Sequence, residues 1–499
     1  MTHLLNEVEL ALPFWRYCEI FSASEHVFLL DSAKKSGKLG MSSYLGADPY
    51  LIFKAKRIGN CPSMEAQIEQ TSFKTEIGIP HPVAKKEVFQ GDPIAILQQL
   101  VKQYAPKPET FKNSDLALNG GAVGYFGYES GYFIEELPDN GKDDLALPDI
   151  YLGFYDLILS YNHEQEKAYL SVVGRGESPE LAAKDAQYVL ATMLEKIKTF
   201  EATSNTIKPD LQRNNGNILQ PIQVKGITKD KYCELIKTCL DHIQRGEVYE
   251  ICLTHRLETY YDGDGWLLYK HLRAINPAPF TCYLRFPEME VISSSPERFL
   301  KLDKNKIVEC RPIKGTRPRG KSAMEDQQLI VNLQNSIKDR AENIMIVDLV
   351  RNDLGKVCEI GSVCVPDLFV VEQYATVFQL VSTVRGTLKS ELDAFDLLRA
   401  TFPGGSMTGA PKIEAMKIID RLEPVKRGIY SGAIGYIDYS GCLDFNIVIR
   451  TYVLKDNTCY YNVGGAIVAD SEPEAEYLET MDKAAALKKA IALANQFKS

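Results

Sequence analysis

Apolar positions in the N-terminal part of the chain follow two different spacings. Short runs rich in apolar, β-branched and aromatic residues, at 27–30, 50–53 and 169–173, are typical of β-strands. A longer segment at about 180–197 repeats its apolar residues on one face of a helix. The two spacings together predict an α+β region.

A polar stretch separates this region from the rest of the chain. It contains an Asn-Asn-Gly sequence and the isolated Pro209, a composition typical of a linker or a long surface loop. We therefore expect an N-terminal region at 1–202, a linker or surface loop at 203–225 and a second region at 226–499.

The second region again mixes the two spacings. Helices are predicted at 228–246 and 338–355, after a glycine-rich loop at 402–412, and from about residue 471. Strands are predicted at 248–260, 280–286, 290–294, 431–438 and 444–454. The whole chain is expected to be an α+β protein with a layered β-sheet core surrounded by helices.

Composition and charge narrow the class of protein. The 499 residues, of which 45% are apolar, are enough to bury a large core. A net charge of −9 without a basic block argues against nucleic acid as the main partner. The sequence has no apolar run of membrane-spanning length and no basic segment before its first apolar patch, so we expect a cytoplasmic protein with no membrane partner.

All seven histidines lie before residue 272, so chemistry in the remainder must use carboxylates, lysines or a metal ion. The best candidate is Lys314, which Pro312 and Gly315 are expected to hold on a rigid turn. A lysine acts as a nucleophile at neutral pH only if its surroundings lower its pKa. The alternative is a surface lysine between two turn residues.

Glu297 precedes Lys314 by seventeen residues and is predicted to meet it across adjacent strands. A carboxylic acid beside an amine nucleophile can protonate a leaving hydroxyl group. The alternative is a simple ion pair between Glu297 and a neighbour such as Arg298.

Two predicted helices each carry a pair of carboxylates three residues apart, Asp339 with Glu342 and Glu476 with Glu479. That spacing places each pair on one helical face. If the two faces meet, they form an oxygen site suited to Mg²⁺. The alternative is two solvated acidic faces, with Glu479 paired to Lys483.

Arg450 stands in an otherwise apolar stretch at 447–451. A guanidinium group in such a place needs an anion, either a substrate carboxylate or an Asp or Glu elsewhere in the chain. The residue pattern alone leaves both readings open.

Six ordered motifs extend the picture beyond single residues. They are SPERF (295–299), PIKGT (312–316), DRAENIMIVDLVRNDLG (339–355), FPGGSMTGAPK (402–412), GAIGYIDYSGCLDFNIVIRT (432–451) and GGAIVADSEPEAEYLET (464–480). Over about residues 228–495 the chain thereby resembles the chorismate-utilising enzymes. The resemblance implies a fold like that of anthranilate synthase component I, with a layered, sandwich-like antiparallel β-sheet core surrounded by helices.

The resemblance also implies a reaction. Anthranilate synthases carry alanine where this chain has Lys314, and the lysine is similar to that of the members that form 4-amino-4-deoxychorismate for 4-aminobenzoate and folate synthesis. In that chemistry Lys314 attacks C2 of chorismate while Glu297 protonates the departing C4 hydroxyl. Ammonia then adds at C4 and expels the lysine. The competing readings are an anthranilate synthase and a binding subunit without catalytic activity.

Binding sites follow from the same resemblance. Glu342 and Glu479 match Mg²⁺ ligands, with Asp339 and Glu476 behind them. The matching substrate-pocket positions are Gly315, Thr316, Tyr430, Arg450, Gly464, Gly465, Ala466 and Lys483. Positions that form a tryptophan pocket in relatives are Ser32, Pro279, Phe280 and Thr281.

The source of ammonia is expected to be a second protein. The chain has no cysteine in a Gly-x-Cys-x-Gly elbow, so the resemblance implies a separate glutamine amidotransferase subunit.

Two positions depart from the family pattern. Glu250 stands where the amine-using members usually have glutamine and the water-using members have a lysine base. Gln379 stands where the family usually has histidine. The first departure removes the base for water addition, and the second counts against pyruvate elimination and hence against anthranilate formation.

Overall fold

The structure is a computed structural model that describes residues 1–34, 39–57, 66–76, 79–111, 114–204, 222–374 and 377–496. Within these residues the α-helices are α1 Pro93–Tyr104, α2 Pro179–Ser204, α3 Lys229–Gln244, α4 Gly265–Ile275, α5 Ala323–Asn335, α6 Ile337–Val357, α7 Ala394–Thr401, α8 Lys412–Leu422, α9 Pro473–Lys483 and α10 Ala485–Gln496. Short 3₁₀ helices lie at Phe14–Phe21, Pro108–Phe111, Tyr128–Phe133 and Gly405–Met407.

The strands in chain order are β1 Thr2–Val8, β2 Val27–Asp31, β3 Ser42–Ala47, β4 Leu51–Arg57, β5 Ala66–Glu76, β6 Ile79–Gly91, β7 Gly121–Phe126, β8 Ile150–Tyr155, β9 Leu157–Asn162, β10 Lys167–Gly174, β11 Lys225–Gly226, β12 Glu250–Tyr260, β13 Phe280–Phe286, β14 Met289–Ser295, β15 Arg298–Leu302, β16 Ile307–Cys310, β17 Ile313–Pro318, β18 Cys364–Gln373, β19 Val377–Thr387, β20 Gly409–Ala410, β21 Ala433–Asp438, β22 Leu443–Asn446, β23 Thr451–Lys455 and β24 Thr458–Ile467.

These strands form two antiparallel sheets of twelve strands each. The first sheet has the order β1-β10-β9-β3-β2-β13-β14-β23-β24-β12-β11, with β20 paired to β12. The second has the order β17-β19-β16-β15-β22-β21-β7-β8-β4-β5-β6, with β18 paired to β19. Each sheet combines strands from before and after the polar stretch at 203–225.

The two sheets face each other across a continuous apolar layer. Phe28, Tyr44 and Leu284 from the first sheet pack there with Tyr125 and Ile434 from the second. The outer face of the first sheet packs against α2, α4 and α10, and the outer face of the second against α1, α6 and α7. The predicted α+β fold with a layered sheet core and surrounding helices is therefore confirmed.

Local sequence explains where several helices begin. Thr228 accepts a hydrogen bond from the backbone N–H of Lys231 and so caps α3, and Ser336 caps α6 in the same way through Asp339. Such caps satisfy backbone donors that have no partner within the helix. Among the described helices, none is both long and apolar enough to cross a membrane.

The strand predicted at 444–454 is wrong in one respect. The segment forms two strands, β22 and β23, which belong to different sheets. Residues 447–450 cross between the sheets, and Arg450 there has a φ of +54°. Both strands are buried, so the apolar pattern continues through the crossing and hides it.

Two predicted helix boundaries also differ from those in the structure. The predicted helix at 180–197 continues to Ser204, and the helix expected from about 471 is two helices, α9 and α10. Most of the stretch at 203–225 lies outside the described residues, so the division of the chain there stays a prediction.

Candidate active site

Lys314 lies on β17, which is the edge strand of the second sheet. The pairing of β17 with β19 shifts register between Ile313 and Thr316, so the lysine occupies a β-bulge and not the predicted turn. Gly315 in this bulge has a φ of +83°, and a Cβ there would lie 2.8 Å from a carboxylate oxygen of Asp339. Glycine is therefore required at this position.

The ammonium group of Lys314 is paired with Glu250 of β12, with 2.7 Å between Nζ and Oε1. The Glu250 side chain is 0% exposed and that of Lys314 is 10% exposed. Burial alone lowers the pKa of Lys314, but the negative charge of Glu250 outweighs it and the net shift is upward. The expectation that this site lowers the lysine pKa is therefore wrong: Lys314 rests as an ammonium ion.

Glu297 lies between β14 and β15, close to the start of β17. Its carboxyl group accepts hydrogen bonds from the Ser406 side chain and the backbone N–H of Ile313. Burial raises the pKa of Glu297 to about 7, so a large fraction is a carboxylic acid at neutral pH. Glu297 thus has the protonation state of a general acid.

One detail of the Glu297 prediction is wrong, and the alternative ion pair with Arg298 does not form. Glu297 does not meet Lys314 across adjacent strands, because β19 and β16 lie between β17 and β15. Nor does Glu297 pair with Arg298, whose guanidinium group is bound to Asp444 at 2.9 Å and to Glu309 at 2.8 Å.

The two carboxylate pairs lie on α6 and α9, and Lys338 connects them. Its Nζ is 4.0 Å from Glu342 and 3.8 Å from Glu476, whose side chains are 14% and 6% exposed. The acidic faces therefore meet, and the alternative of two solvated faces does not describe these two residues. The Glu479–Lys483 ion pair of that alternative does form, with a distance of 2.8 Å.

The remaining acidic residue, Asp339, is paired with Arg317 at 2.7 Å. Glu476 also accepts a hydrogen bond from Ser471 at 2.7 Å. Asp339 and Glu476 therefore each have a partner within the protein.

The acidic residues fit a divalent cation. Burial and the neighbouring negative charges of Glu250 and Asp339 raise the pKa of Glu342 to about 7, although Lys314 and Lys338 oppose the shift. In the described part of the chain no three His, Cys, Asp or Glu side chains form a ready-made metal cluster. Mg²⁺ does not require one, because it keeps several waters and binds through one or two carboxylates together with oxygens of its substrate. In this structure the ammonium group of Lys338 lies beside the negative charges of Glu342 and Glu476, which a bound Mg²⁺ ion would also neutralise.

Gly464, Gly465 and Ala466 lie on β24 opposite β12, two strands that pair along their length. A Cβ on Gly464 would lie 2.4 Å from the Leu253 carbonyl oxygen, so glycine is needed for this close pairing. Lys483 donates a hydrogen bond to the Gly464 carbonyl at 2.8 Å. At Gly464 and Gly465, β24 therefore presents backbone atoms without side chains next to the carboxylates of α9.

Arg450 lies at the crossing between the sheets, and its guanidinium group donates to the carbonyl oxygen of Lys483. Burial lowers the pKa of Arg450, and Tyr430 is a buried neighbour that opposes this shift. Among the described residues no carboxylate lies at ion-pair distance from Arg450. The alternative of a protein partner is therefore not found, and an anionic ligand remains the expectation.

Thr316, a predicted pocket position, and Gln379, which departs from the family pattern, lie on neighbouring strands. Thr316 is exposed on β17 and pairs with Gln379 of β19. Gln379 itself is buried, and its Oε1 has no hydrogen-bond partner among the described residues. The effect of having glutamine in place of histidine there is not explained by these contacts.

A cavity with a volume of about 130 Å³ has a lining that does not include Lys314. All four residues predicted to form a tryptophan pocket line it, namely Ser32, Pro279, Phe280 and Thr281. The structure therefore brings these four residues together, while tryptophan binding stays a prediction.

Three neighbours of the site were not assigned a role from the sequence. They are Glu250 beside Lys314, Lys338 between the acidic helices and Ser406 beside Glu297. For Glu250 the sequence does contain an indication of burial, because this carboxylate is followed by the apolar residues 251–253. Such a residue needs a buried cation, but the sequence does not say which one.

The chain is similar to known proteins in both sequence and fold. Residues 63–489 match the family described as chorismate binding enzyme. The chain is 41% identical over 399 residues to aminodeoxychorismate synthase component 1 of Escherichia coli (strain K12), which spans 80% of this chain and 82% of that relative. It is 34% identical over 486 residues to anthranilate synthase component 1 of Acetivibrio thermocellus, spanning 96% and 92%.

The fold is similar to the crystal structure of anthranilate synthase component I from Streptococcus pneumoniae TIGR4. The TM-score is 0.73 at 30% sequence identity, over 91% of this chain and 93% of that chain. The fold implied by the sequence motifs is thus confirmed.

Replacing Glu297 by glutamine should stabilise the protein at high pH. The folded-state pKa of Glu297 is about 7, above its ordinary value of 4.5, so the wild type loses stability as pH rises from 4.5 to 7. Glu297→Gln removes this loss, so it should exceed the wild type by up to about 3 kcal/mol at pH 8 and match it near pH 4.5. Urea unfolding across this range measures the difference. A difference that does not change with pH would contradict the raised pKa.

Proposed function

Since the chain belongs to the family of chorismate binding enzymes, we propose that it converts chorismate and ammonia into 4-amino-4-deoxychorismate. One observation carries this choice: the site contains a lysine, Lys314, on an edge strand next to a buried carboxylate. A primary amine supplies the nucleophile that the reaction needs. The relatives named aminodeoxychorismate synthase support the same assignment.

The proposed reaction has two substitution steps. In the first, the neutral amine of Lys314 attacks C2 of chorismate, the ring double bonds shift, and the C4–O bond breaks. Glu297 donates its proton to the leaving hydroxyl group, which departs as water. In the second step ammonia attacks C4, the double bonds return, and the bond between C2 and Lys314 breaks. The raised pKa of Glu297 supports its role as the acid.

We propose that Glu342 and Glu479 bind Mg²⁺, with Asp339 and Glu476 orienting them. When bound, the ion would neutralise the carboxylate of chorismate and fix its position. The support is the meeting of α6 and α9 at Lys338 and the raised pKa of Glu342. Displacement of the Lys338 ammonium group would leave the acidic pair free for the ion.

Substrate contacts would come from the backbone and from Arg450. The guanidinium group has no protein carboxylate partner among the described residues, so it is available to a carboxylate of chorismate. Gly315, Thr316, Tyr430, Gly464, Gly465, Ala466 and Lys483 complete the proposed pocket.

Ammonia is proposed to come from a glutamine amidotransferase subunit. The chain has no nucleophile elbow of the Gly-x-Cys-x-Gly type, and the name of the Escherichia coli relative, component 1, indicates a further component in that protein. The two chains would then form a heterodimer.

Anthranilate synthase is the nearest alternative, because one such relative is 34% identical over nearly the whole chain. That reaction requires elimination of pyruvate and aromatisation of the ring. Lys314 occupies the position where the motif of those enzymes has alanine, and Gln379 replaces the usual histidine. These two residues favour the C4 reaction.

The first prediction of this assignment concerns the product. Purified protein given chorismate, Mg²⁺ and an ammonium salt should form a compound that a separate aminodeoxychorismate lyase converts to 4-aminobenzoate. Liquid chromatography with mass spectrometry identifies both compounds. Direct accumulation of anthranilate would instead assign the chain to the alternative, and no consumption of chorismate would indicate a binding subunit.

The second prediction concerns Lys314. With chorismate and Mg²⁺ but no ammonia, the wild type should form a covalent adduct, because nothing displaces the lysine from C2. Lys314→Ala should form none, and peptide mapping by mass spectrometry locates the adduct. The same adduct on the alanine variant would exclude Lys314 as its site.

The third prediction concerns the metal. Glu342→Gln replaces a charged ligand by a neutral amide, so the Mg²⁺ concentration for half-maximal activity should rise roughly tenfold or more. A Mg²⁺ titration of chorismate consumption measures it. Glu359→Gln, at an exposed position after α6, is the matched control and should not change the titration. An unchanged titration for Glu342→Gln would remove Glu342 from the ligands.

A further inference from the structure

Lys314 rests as an ammonium ion, and an ammonium ion cannot attack a carbon atom. Its proton must therefore leave before the first step of the proposed reaction. Within the described residues, the only carboxylate at ion-pair distance from Lys314 is Glu250, at 2.7 Å. We propose that Glu250 is the base that takes the proton from Lys314. This inference rests on the proposed function, because it assigns the group that prepares its nucleophile.

The burial of both groups favours transfer within the pair. Glu250 is completely buried and Lys314 nearly so, which leaves bulk water little access to either. Separating two charges in such surroundings is costly, whereas transfer of one proton removes both charges at once. The free energy of the neutral pair is therefore closer to that of the ion pair here than it would be in water.

The second oxygen of Glu250 supports the same role. Oε2 has no hydrogen-bond partner among the described residues. Hydrogen-bond donors would hold the carboxylate in its charged form, and here Lys314 is the donor found to Oε1. Once Lys314 gives up its proton, no hydrogen bond found among the described residues holds Glu250 as a carboxylate.

Other titratable groups around Lys314 are less suited to accept its proton. Burial raises the pKa of the Cys252 thiol, which therefore stays protonated at neutral pH. Glu297 is the proposed acid and must keep its own proton. Glu342 and Glu479 also act on Lys314 electrostatically, but neither is within ion-pair distance of it in the described chain.

The step balances in protons and bonds. A proton passes from Nζ of Lys314 to the Glu250 carboxylate, giving a neutral amine and a carboxylic acid. The amine forms the bond to C2 while the C4–O bond breaks with the proton of Glu297. When ammonia later adds at C4 and expels Lys314 as a neutral amine, Glu250 returns its proton to the lysine and the ion pair is restored. The ammonium group formed at C4 gives a proton to Glu297, which regains its acid form.

The pH dependence of adduct formation tests the role of Glu250. In the wild type the pair shares one proton across neutral pH, so the rate should show no rising limb between pH 6 and pH 7 and should fall above about pH 7 as Glu297 ionises. In Glu250→Gln the amine must lose its proton to solvent. Its rate should rise up to tenfold per pH unit on the acid side of the Lys314 pKa, and the wild type should lack this rising limb.

The measurement is rapid quenching with chorismate and Mg²⁺, without ammonia, followed by intact-protein mass spectrometry. Glu258→Gln, the same substitution on the same strand at a half-buried site, is the matched control and should keep the wild-type profile. Glu250→Asp keeps a carboxylate and should keep the wild-type shape of the profile at a lower rate. It also serves if the glutamine variant fails to fold.

Identical profiles for the wild type and Glu250→Gln would overturn the inference, as would a rising limb in Glu250→Asp or an absence of adduct in the wild type. If the proposed function itself is wrong, a different experimental result is expected. In that case the wild type gives no 4-amino-4-deoxychorismate in the product assay, whatever the profile of the Glu250 variants.

Discussion

The buried ion pair between Lys314 and Glu250 is the contact on which the site depends, because it joins the two sheets. Glu250 begins β12 in the first sheet, and Lys314 lies on the edge strand β17 of the second. A buried charge is tolerated only next to its partner, and removing one partner of such a pair typically costs about 3–5 kcal/mol. The pair therefore constrains the position of each strand relative to the other.

The rest of the site is arranged around the strand that carries Glu250. Gly409 of β20 approaches so closely that a Cβ would lie 2.1 Å from the Glu250 carbonyl oxygen, so that strand must have glycine there. Arg427 donates to the Cys252 carbonyl at 2.7 Å and is paired with Glu423, which accepts from the backbone of Thr254. These buried contacts fix β12 on both sides, and so they position Glu250 through its backbone and without touching its side chain.

The sequence predicts features that depend on nearby residues better than contacts between residues that are far apart in the chain. Helices such as α2 and α3 and the pairing of carboxylates on α6 and α9 follow from local periodicity, and they were predicted with small errors in their ends. The motif around Lys314 singled out the lysine that is proposed to react. Its partner lies 64 residues earlier, and only the order of strands in the two sheets brings them together. The sign of the lysine pKa shift depended on that partner, which is why burial alone gave the wrong direction.

The same reasoning separates Glu250 from Glu297. They have the same side chain and both are buried, yet a different environment surrounds each. Glu250 lies beside the ammonium group of Lys314, whereas Glu297 has no cation at ion-pair distance among the described residues and burial raises its pKa to about 7. One carboxyl group is therefore placed to accept a proton and the other to donate one. The separation of roles comes from whether the fold places a cation beside the carboxyl group.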